Sequence, residues 1–134
     1  MRRLVPLVLC FALACGSDST TTPTQASLAG TWSLQNINGI ALPFVTSQTA
    51  TSKTEIMSDI VTAAEAGTYT EVAQVRTTLN GQATISTESD AGTYTVTGNA
   101  VTIRSSDGTS VSGTVKGNTF TVAGNGVAFE FKKQ

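Results

Sequence analysis

The sequence predicts an all-β protein, a small antiparallel, up-and-down barrel of eight or nine short strands. Three observations carry that expectation. Thr, Ser, Val, Ala and Gly dominate the 134 residues, with only 13% charged and 6% aromatic. Thr and Val suit a pleated, half-buried surface, and Gly suits the turns between strands. From Leu28 onward, apolar residues fall mostly on alternate positions, the period of a strand with one face buried. Asn80-Gly81, Gly98-Asn99, Asp107-Gly108, Gly117-Asn118 and Gly124-Asn125-Gly126 tolerate the positive φ that tight hairpins demand.

Residues 1–14 stand apart from this pattern. Met1-Arg2-Arg3 precedes an apolar run from Leu4 to Ala14, a basic region and about eleven apolar residues, which reads as a secretory signal peptide too short to span a bilayer core of roughly 30 Å. Its end, Phe11-Ala12-Leu13-Ala14-Cys15, resembles the bacterial lipobox. The resemblance implies cleavage after Ala14 and acylation of Cys15, the new N-terminus. Cys10 follows Leu9, too large for the cleavage position, and reads as a small apolar residue of the signal. Loss of Arg2 and Arg3 leaves six basic against nine acidic residues, a formal charge of −3. Acyl chains on Cys15, rather than charge, would therefore have to hold the chain on an anionic membrane.

Residues 15–27 then read as the lipidated cysteine and a flexible tether. Gly16 to Ser27 is polar and contains Pro23, so nothing in it can be buried and no regular ladder can form. Gly16 stands where an inner-membrane retention signal would place Asp, so the resemblance favours the outer membrane of a two-membrane bacterium over the inner.

Residues 28–134 make up the expected barrel domain. Trp32 and Leu34 share a face of the first strand. Residues 51–66 fit two readings: Ile56 and Ile60 alternate as in a strand, while Ile56, Ile60, Ala63 and Ala64 would also line one face of a helix. The strand continues the pattern on both sides. Next come Tyr69, Ala73, Val75 and Leu79, then Ala83 and Ile85. The C-terminal half alternates more cleanly through Tyr94 and Val96, Val101 and Ile103, Val111 and Val115, Phe120 and Val122, and Val127, Phe129 and Phe131. Strands joined by two-residue turns are antiparallel neighbours. So many strands with one apolar face must close into a barrel or fold into a sandwich, and consecutive hairpins favour the barrel.

Catalytic chemistry has little to stand on. There is no His, which removes the commonest general base and metal ligand. No Ser is followed by a Lys at Ser-x-x-Lys spacing, and no glycine loop opens a helix to cradle phosphate. The net charge leaves no electrostatic footprint for nucleic acid. Glu55 and Asp59 alternate with Ile56 and Ile60 and so read as solvent-facing, and Glu88 and Asp90 read as a solvated acidic turn. The expectation is a protein without catalytic residues, metal or cofactor. Glu71 is the residue that stands out. It shares parity with Tyr69, Ala73 and Val75, which places a carboxylate inside the barrel or at its mouth, paired with Arg76 or Arg104 to read a polar head group, unless a bulge turns it outward.

Leu28-Ala29-Gly30-Thr31-Trp32 opens the domain, followed by Asn38-Gly39-Ile40-Ala41-Leu42-Pro43, the Asn80-Gly81 hairpin, Gly92-Thr93-Tyr94-Thr95-Val96-Thr97-Gly98-Asn99 and the aromatic last strand Phe129-Glu130-Phe131. Together these resemble the small bacterial lipocalin-like lipoproteins over residues 28 to 134. The resemblance implies a barrel closed at one end by Trp32, beneath a basic side chain from the last strand, for which Lys132 and Lys133 are the candidates. It also implies binding rather than catalysis. Trp32, Tyr69, Glu71 and Tyr94, with Gly113 as a gap between bulky side chains, are the candidate ligand contacts. Two roles remain open, a carrier of a small hydrophobic ligand and a protein-binding or structural module, such as an envelope scaffold or enzyme inhibitor, with a filled core. Short strands and many bulky inward residues predict a largely filled half closed by Trp32 and at most a shallow apolar pocket at the other end.

Overall fold

The computed structural model describes residues 25–134; the expected signal peptide, Cys15 and the tether as far as residue 24 lie outside them. Ten strands follow in order: β1 Gly30–Ile37, β2 Ile40–Ala41, β3 Phe44–Gln48, β4 Ser52–Ala63, β5 Thr68–Leu79, β6 Gln82–Thr97, β7 Ala100–Ser105, β8 Ser110–Lys116, β9 Thr119–Gly124 and β10 Val127–Lys133. From β4 to β10 each strand pairs antiparallel with the next. β1 joins β10 on one side and β4 on the other, from Gly30 opposite Ala63 to Ser33 opposite Ile60. This closes an eight-stranded barrel. The short β2 pairs with the end of β1, and β3 with the start of β4.

The expected all-β, up-and-down barrel is the observed fold, with two departures. β2 and β3 are additional short strands, and β4, β5 and β6 run for 12, 12 and 16 residues rather than being short. Within residues 51–66, Ser52–Ala63 is strand: β5 pairs along one edge of β4, and β3 and then β1 along the other, so its backbone is satisfied in the sheet. Turn chemistry behaves as composition predicts: Asn80, Gly81, Gly98, Gly108, Gly117, Asn125 and Gly126 all have positive φ.

One irregularity reverses an expectation. Between Ile56 and Ser58 the register of β4 against β5 shifts, a bulge at Met57 that adds one residue and flips the alternation beyond it. Ile56 packs against the core, whereas Asp59, Val61 and Ala63 take the inward positions that follow. Glu55 and Asp59, expected in solvent, are both buried. Glu55 is covered by its ion pairs with Lys53 at 2.7 Å and Arg76 at 2.8 Å, and these two cations hold its carboxyl below the ordinary range.

β5 and β6 outrun the barrel. Leu79 and Ile85 are 55% and 60% exposed, and Ala83 is exposed as well, so the apolar residues of this hairpin tip do not join the core. Ile85 sits opposite Arg76 and Ala83 opposite Thr78, on the face that alternates away from the buried Val75. β6 also passes straight through Glu88 and Asp90, where a turn was expected.

The closed end of the barrel is built on Trp32 and Phe120, both fully buried. Their rings meet edge to face at 5.8 Å, and Phe131 stacks on Phe120 at 5.5 Å, geometries that aromatic quadrupoles favour. The indole Nε1–H of Trp32 donates to the Leu28 carbonyl at 2.7 Å, which satisfies its polar atom and pins the entering chain against the barrel. Lys133 is the basic residue over this indole, its Nζ 5.4 Å from the ring centroid.

Candidate functional site

Above Phe120 the barrel interior is open. A cavity of about 370 Å³ has an apolar floor of Val61, Ile103, Phe120, Val122, Phe129 and Phe131 and one acidic wall of Asp59, Glu71 and Asp90, with Asp107 and Thr109 at its rim. Register explains the asymmetry. Val61, Glu71 and Asp90 stand opposite one another in a row across β4, β5 and β6, and the bulge at Met57 turns Asp59 to the same side. β7, β8, β9 and β10 supply the apolar face.

A glycine organises the wall. A Cβ on Gly92 would lie 2.0 Å from the Arg104 carbonyl oxygen and 2.9 Å from Tyr69 Cε1, so only glycine lets the Tyr69 ring cross this position. The Tyr69 hydroxyl then donates to Asp90 Oδ2 at 2.6 Å, and Ser105 Oγ donates to Oδ1 at 2.7 Å. Both oxygens of Asp90 are satisfied. The Tyr69 hydrogen bond, ahead of that from Ser105, holds the Asp90 carboxyl below its usual range. Burial, reinforced by Asp90, pushes the Tyr69 hydroxyl up, so it remains a donor at any physiological pH.

Asp59 is the opposite case. It is only 6% exposed, and its Oδ1 has no hydrogen-bond partner among the described residues. Burial first, then a hydrogen bond with Glu71 and the charge of Glu71, push its carboxyl up to about 8. Among the described residues no Lys or Arg lines the cavity. Arg76 is engaged by Glu55 and Arg104 is exposed, so the expected pairing of Glu71 with either arginine does not form. Among the described residues no three potential metal ligands converge.

Of the sequence-predicted contacts, Tyr69 and Glu71 line the cavity. Trp32 lies beneath it, behind Phe120. The Tyr94 hydroxyl donates to the Ala64 carbonyl at 2.6 Å, and its ring borders a separate shallow depression with Gly67 and Val96. Gly113 is a strand contact rather than a gap: a Cβ there would lie 2.1 Å from the Thr121 carbonyl oxygen of β9. Asp59 and Asp90 are the site residues that sequence reasoning missed. For Asp90 a signal existed, since it shares the parity of Tyr94 and Val96, both packed against the core. For Asp59 the bulge concealed it.

Comparison with curated proteins found no match. The family described as the lipocalin-like domain matches residues 28–122. That match begins at the buried Leu28 and runs from β1 into β9, most of the barrel, and the chain belongs to the lipocalin-like domain family.

Proposed function

We propose that this protein is a non-catalytic binding barrel of the bacterial cell envelope, tethered through acyl chains on Cys15 to the outer rather than the inner membrane, which carries one small hydrophobic molecule. The observation that supports carriage is the cavity itself. At about 370 Å³ it falls at the low end of small-molecule sites. That is the liquid volume of about a dozen water molecules at roughly 30 Å³ each. A filled core would have favoured a protein-binding or structural module instead. That second reading draws on Leu79 and Ile85, large apolar side chains exposed on opposite faces of the projecting β5–β6 tip.

Equilibrium dialysis of a neutral apolar probe, phenylbutanol, against the full chain in lipid nanodiscs, with empty discs as the blank, tests the carrier reading. Saturable one-to-one binding that is weakened about tenfold or more, roughly 1.4 kcal/mol, by the cavity-filling Val122→Trp is the expected result. Absence of saturable binding overturns it.

A further inference from the structure

We propose that the molecule this cavity selects is an amphipathic cation, a small aromatic or aliphatic body carrying an ammonium group, with the body over Phe120, Phe129 and Phe131 and the ammonium against Asp59 and Glu71. This rests on the small-ligand reading above and names its chemical class.

The ionisable groups lining the cavity are all acids. Asp59, Glu71, Asp90 and Asp107 line it and, among the described residues, no basic one does, so each carboxyl that ionises makes the potential inside more negative, focused by apolar walls. The acids are not equivalent. Asp90 has both oxygens occupied by Tyr69 and Ser105, and Asp107 accepts the Thr109 backbone N–H at 2.7 Å. Asp59, nine-tenths buried, keeps Oδ1 without a partner among the described residues. A buried polar atom without a partner carries a penalty that a ligand donor removes. Glu71, half-buried beside it, offers a second acceptor.

Chemistry narrows the occupant. A fatty acid or phosphate would bring negative charge to an acidic wall. A neutral hydrocarbon would leave Asp59 Oδ1 unsatisfied. A bare divalent cation needs about six oxygen ligands, and among the described residues not even three potential ligands converge. An ammonium group supplies three donors on a compact charge, and the aromatic floor suits both its apolar body and its charge.

The test compares phenylbutylamine, phenylbutanol and phenylbutanoate, which share a body and differ in the head group, by equilibrium dialysis against the full chain in nanodiscs. The amine should bind about ten- to hundredfold more tightly than the alcohol, the range for a hydrogen bond to a charged group, and the carboxylate most weakly. Asp59→Asn keeps the shape and should erase most of the amine's advantage while leaving the alcohol unchanged; Glu71→Gln should erase part of it. Equal binding of amine and alcohol, tightest binding of the carboxylate, or amine affinity unchanged in both variants overturns the inference and leaves the apolar carrier standing. Saturable binding of none of the three overturns the carrier reading and the inference with it.

Discussion

Lys133 stands directly opposite Trp32 in the pairing of β1 with β10, with its Nζ 5.4 Å from the indole centroid. Its stem crosses Gly30, where a Cβ would meet Lys133 Cε at 2.6 Å. The glycine of the Gly-x-Trp sequence therefore answers two demands. It leaves room for the cation that covers the tryptophan, and it adopts a φ of 128°, which side-chain-bearing residues avoid.

These two demands separate by substitution. Lys133→Met should cost about 0.5–1 kcal/mol, the size of an exposed cation–π contact. Gly30→Ala should cost about 1–3 kcal/mol from backbone strain. The end of a lysine side chain moves aside cheaply, so adding Lys133→Ala should not rescue Gly30→Ala. Rescue, read by urea unfolding, would make the steric clash rather than φ the reason for the glycine.

Gly113→Ala should be more damaging than its size suggests. The added methyl would sit 2.1 Å from the Thr121 carbonyl oxygen and 3.2 Å from Val122 Cα, which are backbone atoms held by the β8–β9 ladder. Overpacking of this kind costs about 1–3 kcal/mol or more. Circular dichroism melting of Gly113→Ala should show that loss. A fully stable variant would mean the two strands can separate, and would restore Gly113 as a gap.

The sequence was legible where alternation and turn chemistry agree. Val101, Ile103, Val115, Phe120 and Phe131 are buried where alternation puts them, because each lies in a strand entered through a turn whose glycine or asparagine takes positive φ. The candidate site was legible only in part. Glu71 follows from the parity of Tyr69 and Val75, but Asp59 depends on a one-residue bulge, and nothing in Glu55-Ile56-Met57-Ser58-Asp59 marks it. A bulge answers to the pairing of two long strands and not to local propensity. Leu79 and Ile85 misled for separate reasons. Leu79 shares the inward parity of Val75 but lies beyond the end of the barrel, and parity does not give how far the barrel extends along a strand; Ile85, opposite Arg76, lies on the outer face, because Asp90, Tyr94 and Val96, of the other parity, are the inward residues of β6.

The anchor is tested through its cysteine. Cys15→Ser should accumulate as an unprocessed precursor, because in the lipobox pathway acylation of the thiol precedes cleavage. Intact-mass spectrometry of the wild-type membrane fraction should give a chain beginning at Cys15 and carrying acyl mass. A mature wild-type chain that is unacylated and extracted with aqueous buffer would remove the lipid anchor from the proposal and leave the binding barrel unaffected.

Asp59 predicts a pH dependence of stability whose sign follows from its environment. Its folded pKa of about 8 lies above the ordinary 3.8, so the folded chain keeps a proton that the unfolded chain releases. The contribution of Asp59 to stability is therefore complete below about pH 4 and is lost as pH rises through about 8. Glu71, Asp90, Asp107 and the Tyr69 hydroxyl face the same space. Asp90 and Asp107 titrate lower and Tyr69 higher, so none of these three imitates that window. Asp59→Asn removes the titration while keeping the shape. It should match the wild type near pH 4 and exceed it at pH 8.5 by about 1–3 kcal/mol, the cost of an uncompensated buried polar group. That is roughly 4–8 °C in melting temperature per kcal/mol for a domain of this size. Parallel profiles for the two proteins would show that Asp59 ionises without penalty. Phenylbutylamine, by supplying the missing counter-charge, should raise the wild-type melting temperature at pH 8.5 and narrow the gap to Asp59→Asn.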